Sequence, residues 1–393
     1  MFKDKLKKRD VESIIKFSIV WPVAILMKPF ICDVWLVSER PAEAQDNGYW
    51  LFKYICENEC HRNTYYIIKS GARDEKKVVT LGKTIKAYSL KHYLYYLLAT
   101  KHISSQIDGG MPSMRVCSFL ERHGLLKNKK IFLQHGVIKD VLPFCFKETA
   151  RVDMFCCSTK IETEFVRKNF GYQENEVFQT GLARFDNLYK NQGKTKKQVL
   201  VMPTWRAWLA KKEFKNDETA IANFINSPFY KCYATLLENK RLHDILKKNG
   251  YNLIFYVHSD LQFYTKQFQI LDRTIEIASD QDYDVQQLLV ESEILVTDYS
   301  SIFFDFAFMK KPICYYHFDY EEYRKKQHLE GYYDYHKGLG PVFDCVDDIV
   351  MYIEHIISQE GKMDQVYSEL ADDLMDLRDG NNCERIIKQI NIL

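Results

Sequence analysis

At 393 residues, with 46% hydrophobic and 27% charged side chains, the chain is long enough for two domains of ordinary size and too apolar to be disordered. A formal net charge of +2, without a long basic stripe interleaved with aromatics, speaks against a nucleic-acid binder. Eleven scattered cysteines, odd in number and lacking a Cys-x-x-Cys pair, fit a reduced cytoplasmic protein rather than a disulfide scaffold. No cluster of His, Cys or Asp has metal-ligand spacing, and no cofactor or metal is called for.

Residues 1–32 open with Lys3, Lys5, Lys7, Lys8 and Arg9 and continue through an apolar run to Met27. Lys16, Pro22, Lys28 and Pro29 interrupt that run, leaving fewer than the ~20 residues that span a bilayer. Such a segment can lie on an anionic membrane surface or pack as a buried helix, and the pattern leaves both open.

From Asp33 strands and helices alternate. Strands are predicted over 34–37, 65–68, 131–133, 154–157 and 177–180. Helices are predicted over 41–59, 88–98 and 159–169, the last capped by Ser158. The polar stretch 190–197 has no apolar period and reads as a linker, after which the alternation restarts. Strands at 199–202, 253–257, 274–278, 294–296 and 313–316 are joined by helices at 229–248, 285–290 and 302–309. This pattern predicts an α/β fold with parallel sheets covered on both faces. The economical solution is two Rossmann-like domains: 33–190 and 198–370, followed by a terminal helix at 371–393 that could cross back to the first domain.

The stretch 291–312 is the most informative. A buried strand runs into Thr297-Asp-Tyr-Ser-Ser301, and an apolar helix follows, stopped by Pro312. Ser300 and Ser301 thus open a helix at the carboxyl end of a strand, where unpaired N–H groups favour a phosphate; alternatively they only cap it. His135, Arg184, Thr204, Arg206 and His258 also follow predicted strands, the edge at which open α/β sheets bind ligands. Cations, hydroxyls and imidazoles together suit a nucleotide diphosphate.

In order along the chain, Gln134-His-Gly-Val137, Gly181-Leu-Ala-Arg-Phe-Asp186, Val201-Met-Pro-Thr-Trp-Arg206, Tyr256-Val-His258 and Leu295-Val-Thr-Asp-Tyr-Ser-Ser-Ile-Phe-Phe-Asp305 with Lys311-Pro312 resemble the CDP-glycerol glycerophosphotransferases. Val34-Trp-Leu-Val-Ser-Glu39 and Asp46-Asn-Gly48 extend the resemblance, which covers about residues 33 to 345. It implies a GT-B type fold and transfer of an alditol phosphate from a CDP-activated donor to a hydroxyl of a membrane-linked, teichoic acid or capsular acceptor, releasing CMP. By motif it implies substrate contacts at Gly136, Val137, Ile138, Lys139, Arg184, Pro203, Thr204, Arg206, Tyr256, Val257, Ser300, Ser301 and Asp305. His135 would be the general base and His258 a second catalytic group on the pyrophosphate. Asp305 would accept from donor hydroxyls or orient Ser301. Where family members often have Trp-His-Gly-Thr-Pro and His-Pro, this chain has Gln134-His-Gly-Val-Ile138 and His258-Ser259, which leaves alditol and acceptor open. The competing readings are a GT-B glycosyltransferase using a nucleotide sugar and a non-catalytic polymer-binding scaffold.

Overall fold

The computed structural model describes residues 7–210, 217–279 and 282–393; Lys3 and Lys5 lie outside them. The chain divides into two compact units. Unit 1 comprises Met1–His135, Pro143–Asn187 and Asp379–Leu393, and unit 2 comprises Gly136–Leu142 and Leu188–Arg378.

Unit 1 is built on seven strands: β1 (Trp35–Ser38), β2 (Thr64–Ile68), β3 (Thr84–Lys86), β4 (Lys101–Ser104), β5 (Lys129–Phe132), β6 (Met154–Cys157) and β7 (Val177–Gln179). They lie in the order β3-β2-β1-β4-β5-β6-β7, and every neighbouring pair is parallel. Unit 2 carries β8 (Gln198–Val201), β9 (Asn252–Tyr256), β10 (Ile275–Ala278), β11 (Ile294–Thr297), β12 (Ile313–Tyr316) and β13 (Val342–Phe343), ordered β10-β9-β8-β11-β12-β13 and again all parallel. Central strands such as β1, β6, β8 and β11 are buried at every position, as expected of sheets covered by helices on both faces. Strand order reverses between β1 and β4 in one sheet and between β8 and β11 in the other. Each reversal opens a crevice beyond the carboxyl ends of the strands.

Several elements differ from the sequence reading for identifiable reasons. The helix expected over 41–59 is Asn47–Asn58, because the Glu39 carboxylate accepts the N–H groups of Gln45, Asp46 and Tyr49 and folds the preceding residues into a turn. Thr159, not Ser158, caps the helix Lys160–Asn169, accepting the Glu162 N–H at 3.1 Å. The expected helix 229–248 is two, Pro228–Leu237 and Lys240–Asn249, with Asn239 capping the second by accepting the Leu242 N–H at 3.0 Å. Strands β3 and β4 were not anticipated. One has a single buried residue, Ile85, and the other opens on Lys101-His102, whose imidazole is buried against the Tyr96 carbonyl at 3.1 Å.

The first helix, Lys8–Met27, runs unbroken through Lys16 and Pro22, contrary to the interrupted segment expected. With the turn that follows to Phe30 it is long and apolar enough, by length and composition, to cross a membrane. One face carries Phe17, Val20 and Ala24 into a core shared with Tyr93, Tyr96 and Leu97, where Ser13 and Tyr93 hydroxyls meet at 2.8 Å. The opposite face leaves Ile15, Ile19, Leu26 and Phe30 exposed. The packed-helix reading thus holds for one face, and the other face is exposed and apolar.

The last helix, Asn382–Ile392, belongs to unit 1 and packs on Asn47–Asn58. Asp186 anchors it by accepting the backbone N–H groups of Asn382 and Cys383, each at 2.8 Å, and the Asn382 amide at 2.7 Å. Gly181 (φ +74°) makes room, since a Cβ there would sit 1.8 Å from Asn382 Oδ1. Asp186→Ala orphans three buried donors, so it is expected to lower unfolding free energy by about 3 kcal/mol. Urea unfolding followed by circular dichroism measures this; a change within error of zero removes Asp186 as the anchor.

Candidate active site

In unit 1, β5 leads into Leu133-Gln134-His135. Gln134 adopts φ +63°, unusual for a side chain with a Cβ, and its amide donates to the Cys156 carbonyl. Asn47 donates to the Gln134 carbonyl at 2.8 Å and accepts the Arg184 N–H at 3.0 Å. The Arg184 guanidinium donates to the His135 carbonyl at 3.1 Å and pairs with Asp46 at 3.0 Å. His135 is thus held through its backbone while its side chain is exposed. Arg184, expected to grip the donor, is only 3% exposed; it sits beneath the histidine turn and positions it instead.

Glu39 completes this support from the end of β1. Burial and, secondarily, the Asp46 carboxylate push its carboxyl up to about 8, against the pull of the three N–H groups it accepts. Gly48 is needed beside it, because a Cβ there would lie 2.7 Å from the Ser38 carbonyl.

In unit 2 the crevice lies between the ends of β8 and β11. The Thr204 N–H donates to Asp298 at 2.7 Å, and the Thr297 hydroxyl donates to the Met202 carbonyl at 2.7 Å, so the two loops are locked together. Arg206, expected to bind substrate, has no exposed surface. It pairs with Asp298 at 2.9 Å and Asp319 at 2.8 Å among the rings of Tyr299, Tyr323 and Phe229. Its charge is spent on two buried carboxylates, and it holds the loop that carries Thr204. Pro203 is buried, and Thr204 is half-buried with its hydroxyl oxygen enclosed yet lacking a hydrogen-bond partner among the described residues. An orphaned hydroxyl at a strand end is what a phosphate oxygen would satisfy.

Ser300 and Ser301 are half-buried beside it. The Ser300 oxygen accepts the Ile302 N–H at 3.4 Å. The helix that follows, Phe303–Phe308, has only six residues, shorter than the expected 302–309, so it offers little dipole beyond the two hydroxyls. Asp305 is fully buried in that helix, which favours an orienting role over contact with a donor hydroxyl. His258 is half-buried and stacks on Trp205, ring centroids 5.8 Å apart. Its Nδ1 accepts the Asp260 N–H at 3.2 Å, which places the neutral imidazole's proton on Nε2. Tyr256 and Val257 are buried, Val257 within the apolar core of the unit.

Residues 136–142 belong to unit 2 and lie along 329–332, with Val141 N–H donating to the Leu329 carbonyl at 3.2 Å and Tyr332 N–H to the Lys139 carbonyl at 3.1 Å. Gly136 approaches Ser301 so closely that a Cβ would stand 2.5 Å from its hydroxyl oxygen. Val137 and Ile138 are buried, and so is Lys139, whose ammonium pairs with Asp140 rather than reaching outward; burial lowers its pKa. Asp140 is held in turn by Arg324 at 2.6 Å. The sequence reading missed Asn47, Asp298 and Asp319 as organisers. Asp298 carried a signal, an acid at the end of an apolar strand with no solvent to face.

Two units, each with an all-parallel sheet and with imidazole or hydroxyl groups at the carboxyl edge of that sheet, define a class of α/β protein whose strand ends are the usual place for a ligand. The sequence profile of the CDP-Glycerol:Poly(glycerophosphate) glycerophosphotransferase family matches residues 28–391, and the chain belongs to that family. It is 32% identical over 363 residues to the minor teichoic acid biosynthesis protein GgaB of Bacillus subtilis (strain 168), a match covering 91% of this chain and 39% of that one. A teichoic acid poly(glycerol phosphate) polymerase of Bacillus spizizenii is 25% identical over 369 residues, covering 86% of this chain and 87% of the relative. The wall teichoic acid polymerase TagF shares the fold, with a TM-score of 0.66 at 15% identity over 98% of this chain and 94% of that one.

Because the folded-state pKa of Glu39 is raised, its contribution to stability is present at low pH and is lost as pH rises towards about 8. Wild type should therefore lose stability relative to Glu39→Gln between about pH 5 and about pH 9. The slope of the difference, read from urea midpoints, carries the test whatever the constant offset. Parallel curves would mean that Glu39 is ionised throughout.

Proposed function

We propose that the protein transfers an alditol phosphate, glycerol phosphate first among candidates, from a CDP-activated donor to a hydroxyl of a teichoic acid or capsular acceptor. The observation that carries this is the crevice of the second sheet, where the orphaned Thr204 hydroxyl, Ser300, Ser301 and His258 follow adjacent strands. Hydroxyls and an Nε2–H suit the diphosphate of the donor, and family membership supports CDP-glycerol as its source. In this reading the units form a GT-B pair, with 33–190 taking the acceptor and 198–370 the donor.

His135, covalently joined to the glycine that packs on Ser301, is the general base. It takes the proton from the acceptor hydroxyl as that oxygen bonds to the β-phosphorus. The bond from the β-phosphorus to the bridging oxygen breaks, and CMP leaves with the electron pair. His258 and the three hydroxyls steady the charge that develops on the leaving phosphate. The exposed apolar face of Lys8–Met27, with Lys7, Lys8 and Arg9 at its start, supports a peripheral position on the inner face of the cell membrane.

Incubation with CDP-glycerol, CDP-ribitol and UDP-sugars tests the reading by which nucleotide appears. CMP is expected, with phosphorus retained on the product. Release of uridine nucleotides instead would support a nucleotide-sugar transferase on the same fold. His135→Ala should cut CMP release by roughly 10²- to 10⁴-fold with the circular dichroism spectrum unchanged. CMP release at the wild-type rate in that variant would sink the base assignment.

A further inference from the structure

Unit 1 contains a cavity of about 700 Å³ that none of the sequence motifs anticipates. Its floor is the point where strand order reverses, formed by Glu39 and Arg40 after β1 and Gln106 after β4. Its walls are the start of the first helix and the turn that leads into the helix Met114–Arg122.

Charge around this space is unbalanced. Lys7, Arg9, Arg40, Arg115 and Arg122 line it, against the carboxylates of Asp10 and Asp108 and the buried Glu39. Asp10 is itself consumed inside the wall, accepting the Lys7 N–H at 3.1 Å and the Ser113 hydroxyl at 3.2 Å, with Arg115 at 3.6 Å. His92 adds no charge; it is buried, with Nδ1 accepting the Tyr88 N–H at 3.0 Å and Nε2 donating to the Gly110 carbonyl at 2.9 Å. Arg9 lies over the Tyr88 ring at 4.5 Å, and Arg9, Arg40 and Arg122 are exposed. A roomy concave site ringed by guanidinium groups fits phosphodiesters, which their planar donor pairs match.

The cavity also connects to the histidine turn. Glu39, in its wall, accepts the Asp46 N–H at 3.0 Å, Asp46 pairs with Arg184, and Arg184 holds the His135 carbonyl. A ligand held there is linked to the backbone of the histidine turn through Glu39, Asp46 and Arg184.

We propose that this cavity seats the acceptor, its arginines gripping the phosphodiesters of a poly(alditol phosphate) chain behind the attacking hydroxyl. The inference rests on the transfer reading above and deepens it by assigning the cavity and the arginines that hold the acceptor. The same phosphodiester chemistry occurs in anionic lipid headgroups, so the test must separate the two.

Calorimetry of the full chain with a soluble glycerol phosphate oligomer, without donor, reads the site directly. Wild type should bind the oligomer, more weakly as salt rises, and should not bind a neutral polyol of equal length. The double variant Arg40→Gln/Arg122→Gln should bind the oligomer about tenfold more weakly while its affinity for CDP-glycerol stays at the wild-type value, and Arg40→Lys/Arg122→Lys should recover part of the loss. Absence of oligomer binding by wild type, or an unchanged oligomer affinity in the double variant, overturns the proposal. So does a loss confined to phosphatidylglycerol vesicles, which would make this a lipid site. Failure of the transfer reading shows separately, as no CMP released by wild type from CDP-glycerol, and leaves the binding result to stand alone.

Discussion

The buried arrangement of Arg206 between Asp298 and Asp319 is the constraint on which unit 2 depends. Taking a guanidinium and two carboxylates out of water is costly, and it is sustained only when every partner is in place with good geometry. Once satisfied, it joins the loop after β8, the loop after β11 and the turn at Asp319 into one rigid piece. Asp298 also accepts the Thr204 N–H. The threonine hydroxyl consequently sits where no group among the described residues satisfies it, which is the state expected of a group that a ligand would satisfy.

Unit 1 uses the same device with fewer charges. Arg184 pairs with Asp46 and also donates to the carbonyl of His135, while Asn47 ties the same turn from the other side. In both units a motif arginine is buried one layer below an imidazole or a hydroxyl that lies nearer the surface. The division has a physical basis: a guanidinium is always charged and offers several rigid donors, so it fixes loops well, whereas histidine can exchange a proton near neutral pH.

This layering explains how much was legible beforehand. The two parallel sheets followed from buried apolar strands alternating with helices, and the strand ends bearing His135, Thr204, His258 and Ser300 followed from punctuation by polar residues. Depth was not legible. Arg184, Arg206, Lys139 and Asp305 have the composition of ligand contacts, and only long-range partners such as Asp46, Asp298 and Asp319 show that they face inward. The basic cavity of unit 1 is illegible for the same reason: Lys7 and Arg9 belong to the basic opening of the chain, and only the fold brings Arg40, Arg115 and Arg122 to them. Strands β3 and β4 were invisible because their pattern is too short or too polar, and buried polar groups such as His102 are paired only by tertiary neighbours.

The chain's route between its units has a further consequence for engineering. The polypeptide passes from one unit to the other after His135, Leu142, Asn187 and Arg378. Neither half can therefore be excised as a continuous gene fragment, since residues 379–393 belong with the unit that holds β1 to β7. Separating the halves to study them singly would require circular permutation or grafted segments rather than truncation.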